Sequence, residues 1–168
     1  MTNIRLTNLA VSLALMLPLI ATAIALAGEY SVTAKATVQK YISVIVNYTE
    51  VDFGSVSAPS TDNTPVNLDQ SLGQFNDTVK TNYDYKISAK VSGIPSGVTH
   101  KFYANQDKTQ ATSVANAVSL TDAYQAIYTA TVSAGGTYVD YHGHWLDVSE
   151  TARADSYTWT LYLLYENL

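Results

Sequence analysis

The chain has no cysteine, which excludes disulfides, thiol catalysis, thioredoxin-like chemistry and cysteine-ligated metals. Charge is sparse: only 14% of residues are Asp, Glu, Lys or Arg, with 9 basic residues against 14 acidic ones. No basic patch exists for a phosphate backbone, so nucleic acid is not an expected partner. There is no G-x-S-x-G elbow for serine hydrolysis and no internal repeat. What remains is a polar but weakly charged surface, rich in Ser, Thr, Asn and Gln, together with 13 tyrosines. Tyrosine combines an apolar ring with a polar tip, which suits half-buried strands and contact surfaces.

The one long apolar run, Leu9 to Ala27, follows Arg5 and ends in Ala25, Leu26 and Ala27. A short positive region, an apolar stretch and small residues at its end make a secretory signal peptide, cut between Ala27 and Gly28. A retained anchor is the competing reading. Against it, the run barely reaches the roughly 20 residues a spanning helix needs, Pro18 interrupts it, and no basic stop-transfer cluster follows. A type IV pilin precursor would be cut before the apolar stretch, and no such site precedes Leu9. The expected organisation is a signal peptide over 1–27, an N-terminal strand over 28–38 and one domain over 39–168. Losing 27 of the 168 residues leaves 141, with 8 basic residues against 14 acidic ones and a net charge of −6. That length suits a single domain with its own core.

Period-2 alternation dominates the remainder. Tyr30, Val32, Ala34, Ala36 and Val38 fall on one face, opposite Ser31, Thr33, Lys35 and Thr37, as in a half-buried strand. The apolar face of this strand is unusually small. Further strands are expected at Tyr41 to Val46, Val51 to Val56 and Val79 to Val91. Val98 to Ala104 should return as the hairpin partner of the last of these, after the Gly93 to Gly97 turn. Ala58 to Asn67 and Gln106 to Thr112 read as loops. Ala115 to Val132 is ambiguous, because Tyr124, Ile127, Tyr128 and Thr131 also fit helical spacing; alternation favours a strand over Ala126 to Ser133. Thr137 to Tyr141 and Ser156 to Tyr165 complete the set, with a possible short helix capped by Ser149 between them. About eight or nine strands broken by turns predict an all-β domain, a single jelly-roll-like β-sandwich.

Chemistry-bearing residues are few. His142 and His144, flanked by Asp140 and Asp147, form the best metal candidate, since alternate strand residues point the same way. They lack a third ligand at a known spacing, so neither a metal nor any cofactor is expected. His100 reads as isolated and solvent-facing. The aspartates, Asp77 and Asp140 among them, are scattered in mostly turn-like contexts, and no catalytic constellation emerges. The expected protein is therefore not an enzyme. Asn47-Tyr48-Thr49 and Asn76-Asp77-Thr78 are N-glycosylation sequons; Asn76, in the polar Gly73 to Thr78 stretch, is the stronger candidate, and Asn47 lies at a strand end.

The order of features resembles the TasA–camelysin family of bacterial biofilm-matrix fibre proteins and the archaeal bundling pili similar to them. The resemblance rests on the signal sequence, the small-residue strand directly after it, the Val51 to Ser60 segment with its Asp52-Phe53-Gly54 triplet, the Gly93 to Gly97 turn and the aromatic C-terminal strand. It spans essentially the whole exported chain, in order and texture rather than through a diagnostic signature. The chain is much shorter than TasA, and it lacks the H-E-x-x-H that a metalloprotease would need. The resemblance implies a jelly-roll subunit of an extracellular, cell-surface filament, a homopolymer of identical subunits joined head-to-tail by donor-strand complementation. It makes Tyr30, Val32, Ala34, Ala36 and Val38 the inserted face, with lateral contact between filaments possible and no membrane contact after cleavage. The alternative is a monomeric secreted carbohydrate- or surface-binding module using exposed tyrosines and Trp145 as stacking platforms.

Overall fold

The computed structural model describes residues 33–65 and 75–168. Chain contacts divide it into two units, Met1–Val38 and Gln39–Leu168. Of the first unit, residues 33–38 are described; they are exposed and carry no regular secondary structure. The second is almost wholly β, and every ladder among its described residues is antiparallel.

Its strands are β1 (Ile42–Val46), β2 (Ser60–Asn63), β3 (Asn76–Thr81), β4 (Tyr85–Ser92), β5 (Val98–Asn105), β6 (Val118–Ser119), β7 (Gln125–Ala130), β8 (Gly136–Val148) and β9 (Thr160–Asn167). A short α-helix, α1 (Lys108–Ala111), and a 3-10 helix, Val114–Asn116, lie between β5 and β6. The larger sheet runs β1-β3-β8-β5-β6, with β2 also pairing β8; the smaller runs β7-β4-β9. A shared core joins them: Val79 from β3 and Phe102 and Ala104 from β5 meet Tyr85, Ile87, Ala89 and Val91 from β4 and Ile127 and Ala130 from β7. β7 resolves the helix-or-strand ambiguity in favour of strand.

Several expectations are corrected. Val79 to Val91 is two strands, because Thr81 Oγ1 accepts from the Tyr83 amide and the chain turns there into the other sheet. The turn preserves side-chain parity between β3 and β4, although Tyr83, on the core-facing parity within the turn, is exposed. β5 is not the hairpin partner of β4; it pairs with β8 and β6 in the opposite sheet. Gly93 and Gly97 both adopt φ of +81°, a left-handed conformation that carries the chain between sheets. Val51 to Val56 forms no strand, since the Asp52 carboxylate accepts from the Gly54 amide at 2.7 Å and Gly54 has positive φ. The Ala58 to Asn67 loop contains β2, and Asp107 caps α1 by accepting from Thr109 N and Gln110 N in the other expected loop. No helix follows Ser149, whose hydroxyl instead bonds Thr151 Oγ1. Instead of ending at Tyr141, β8 runs on through the histidines to Val148, 13 residues in all. Gly143 permits this: a Cβ there would stand 2.2 Å from the Trp145 ring and 2.3 Å from Ala111 O of α1.

Candidate functional site

Two features stand out, a buried polar ladder and an open groove. The ladder follows from strand parity. On β8, Asp140, His142 and His144 face inward; on β3, Asp77 does so alongside Val79 and Thr81. Register places Asp77 directly opposite Asp140. Both carboxylates are 0% exposed, although like charges facing each other across strands are unfavourable. The aspartates are thus core residues rather than turn residues.

Tyrosines from the surrounding strands satisfy part of this cluster. Tyr85 Oη donates to Asp140 Oδ2 at 2.6 Å and accepts from Gln106 Nε2 at 3.1 Å. Tyr165 Oη donates to Asp77 Oδ2. His142 Nε2 lies 3.1 Å from that same oxygen, at ion-pair distance but without hydrogen-bond alignment. Its Nδ1 meets Tyr48 Oη at 2.8 Å. One oxygen of each aspartate, Oδ1 in both cases, has no hydrogen-bond partner. Burial pushes the Asp140 carboxyl up to about 6, reinforced by Asp77 and opposed by the Tyr85 hydrogen bond and His142. Burial likewise raises the phenols of Tyr48 and Tyr85, next to Asp77 and Asp140 respectively. Below about pH 6, where Asp140 is protonated, the pair does not place two like charges in the core.

The ladder continues towards the groove. His100, 2% exposed, is neither isolated nor solvent-facing. Its Nε2 lies 3.1 Å from His144 Nδ1, and its Nδ1 accepts from Trp159 Nε1 at 3.0 Å. Burial lowers His100 to about 4, and burial with the neighbouring histidines lowers His144 well below its ordinary value. His142 and His144 do share a face as their spacing predicts, but no group of three His, Cys, Asp or Glu among the described residues is placed to hold a metal ion.

The groove, about 1440 Å³, is bounded by Val46 at the end of β1 and Tyr48 just after it, the 49–58 segment, Val148 at the end of β8, Trp159 just before β9, and Leu161 and Leu163 on β9. Phe53 is buried on its floor, stacked on Trp159 at a ring separation of 6.0 Å. β9 pairs only with β4, and β1 only with β3, so each leaves an edge unpaired among the described residues. Leu161, Leu163 and Tyr165 on β9 and Ile42 and Val44 on β1 pack against the core yet stay only half-buried.

Ala27, Gly28, Tyr30 and Val32 lie outside the described residues; Ala34, Ala36 and Val38 are exposed, Val38 at 82%. Asn47 and Asn76 come together side by side where β1 ends beside β3. Trp145, expected as an exposed stacking platform, is 3% exposed under α1 and cannot serve as one. No protein-family model, no curated protein and no solved structure matches this chain.

Proposed function

We propose that the chain is an exported structural subunit, a jelly-roll-like β-sandwich lacking one strand, which polymerises by taking the N-terminal strand of the next copy into its groove. The observation that carries this reading is the groove flanked by the free edges of β1 and β9, with inward apolar side chains only half covered. An unprotected edge over an open core is a liability in a solitary domain. A strand laid beside β9 would satisfy its unpaired backbone groups and fill the groove with alternate side chains.

The segment suited to that role is residues 28–38. Its alternating face places Ala34 and Ala36 between Val32 and Val38, slim enough to lie over Leu161 and Leu163. Such a contact joins two different surfaces, so it does not close on itself and propagates as a filament. In an exported chain without cysteine, durability then comes from repeated burial rather than covalent cross-links. The buried ladder would give the subunit a uniquely packed interior rather than an active site. A synthetic peptide of residues 28–38 should bind the chain beginning at Gln39 and protect the β9 amides from hydrogen exchange. Failure to bind, or protection confined to β6 and β7, would overturn the proposal.

A further inference from the structure

We propose that Asn47 accepts an N-linked oligosaccharide and that Asn76, which heads a second sequon, does not. The two sequons meet at one corner of the larger sheet. The β1–β3 ladder ends with Val46 opposite Asp77, and the next step sets Asn47 beside Asn76, its amide donating to Asn76 O at 3.0 Å. The side chains meet as well: Asn47 Nδ2 donates to Asn76 Oδ1 at 2.6 Å and to Thr78 Oγ1 at 3.2 Å. Facing residues on paired strands stand only about 5 Å apart. A single sugar on either asparagine therefore covers the other.

Three differences select Asn47. It is exposed, whereas Asn76 is half-buried. Asn47, Tyr48 and Thr49 lie past the end of β1, outside any strand, while Asn76, Asp77 and Thr78 belong to β3, paired on both sides with β1 and β8. Finally, the middle residue of the second sequon, Asp77, is fully buried and bonded to Tyr165, whereas Tyr48 of the first is half-buried, with its ring on Phe75 and its hydroxyl on His142. A transferase must bend the acceptor tripeptide into its own site. Chain beyond a strand end opens locally, but lifting a central strand approaches global unfolding.

The co-substrate class is an oligosaccharide carried on a lipid phosphate. Asn47 Nδ2 forms a bond to the anomeric carbon, and the bond from that carbon to the phosphate oxygen breaks. The lipid phosphate leaves with the electron pair, and one amide proton passes to a base of the transferase. The substituted amide keeps one N–H, enough for the shorter bond to Asn76 Oδ1, and gives up the longer one to Thr78. The product is a bulky, solubilising group at the surface. This inference needs only export and is independent of filament assembly.

The test is intact mass and glycopeptide mapping of the chain secreted by its own host, as wild type and as Asn47→Gln, Asn76→Gln and Thr49→Ala. Thr49→Ala removes the first sequon while leaving the Asn47 hydrogen bonds in place. Wild type should carry one glycan, on Asn47; Asn76→Gln should keep it; Asn47→Gln and Thr49→Ala should carry none. An unmodified wild-type chain, two glycans, or a glycan on Asn76 in any of these chains would overturn the proposal.

Discussion

Removing the Asp140 carboxylate should make this protein more sensitive to acid, the reverse of what losing a typical surface carboxylate does. Burial holds His100 at about 4 against an ordinary 6.5, a gap worth roughly 3 kcal/mol at about 1.4 kcal/mol per unit. A lowered histidine contributes stability that is present above pH 6.5 and lost as the pH falls towards 4. His144 acts in the same direction. Asp140 acts oppositely: raised from 3.8 to about 6, it contributes stability present below pH 3.8 and lost as the pH rises through 6. That gap is also worth roughly 3 kcal/mol. Between pH 4 and 6 the carboxyl therefore offsets about one histidine, and His144 leaves a net acid weakness. Asp140→Asn keeps an oxygen for the Tyr85 hydroxyl but removes the offset. Urea denaturation midpoints at pH 7 and pH 4.5 read the difference directly. The variant should lose roughly 2 kcal/mol more than wild type between these two pH values. Equal losses would show that Asp140 is not a protonated core residue and would refute the linkage.

Two further outcomes test other parts of the account. Ala34→Asp should abolish filament formation while leaving secretion intact, because an unpaired charge in an apolar groove costs several kcal/mol; normal filament yield in electron micrographs would mean that this face is not buried. Gly143→Ala should lower the thermal midpoint by an amount corresponding to about 1–3 kcal/mol or more, since its methyl would overlap Trp145 and Ala111; an unchanged midpoint would show that the close packing under α1 is unimportant.

Much of the strand content was legible because alternation records burial directly. Ile87 and Ala89 face the core as their parity predicts, and within the expected 41–46 and 156–165 runs Ile42, Val44, Leu161 and Leu163 also pack against it. Parity cannot report which sheet a strand joins. The turn at residues 82–84 leaves the odd positions inward on both β3 and β4, so one apparent strand is two strands in different sheets. Pairing between β3 and β8 joins residues some sixty positions apart, and no local pattern carries it. The ladder was only half visible for that reason. Asp140, His142 and His144 share a parity readable in sequence, as do Asp77, Val79 and Thr81, but their meeting depends on the register of two distant strands. His100 joins them through β5, which the expected hairpin with β4 would have set in the wrong sheet. Val51 to Val56 misleads for a local reason, the Asp52 side chain competing for the Gly54 amide.

The central claim is that residues 28–38 complete a neighbouring subunit. Negative-stain imaging of two preparations at equal concentration, the chain beginning at Gly28 and the chain beginning at Gln39, tests it most directly. The account predicts filaments from the first and discrete, folded particles from the second. Filaments from the chain beginning at Gln39, or only isolated particles from the chain beginning at Gly28, would contradict it.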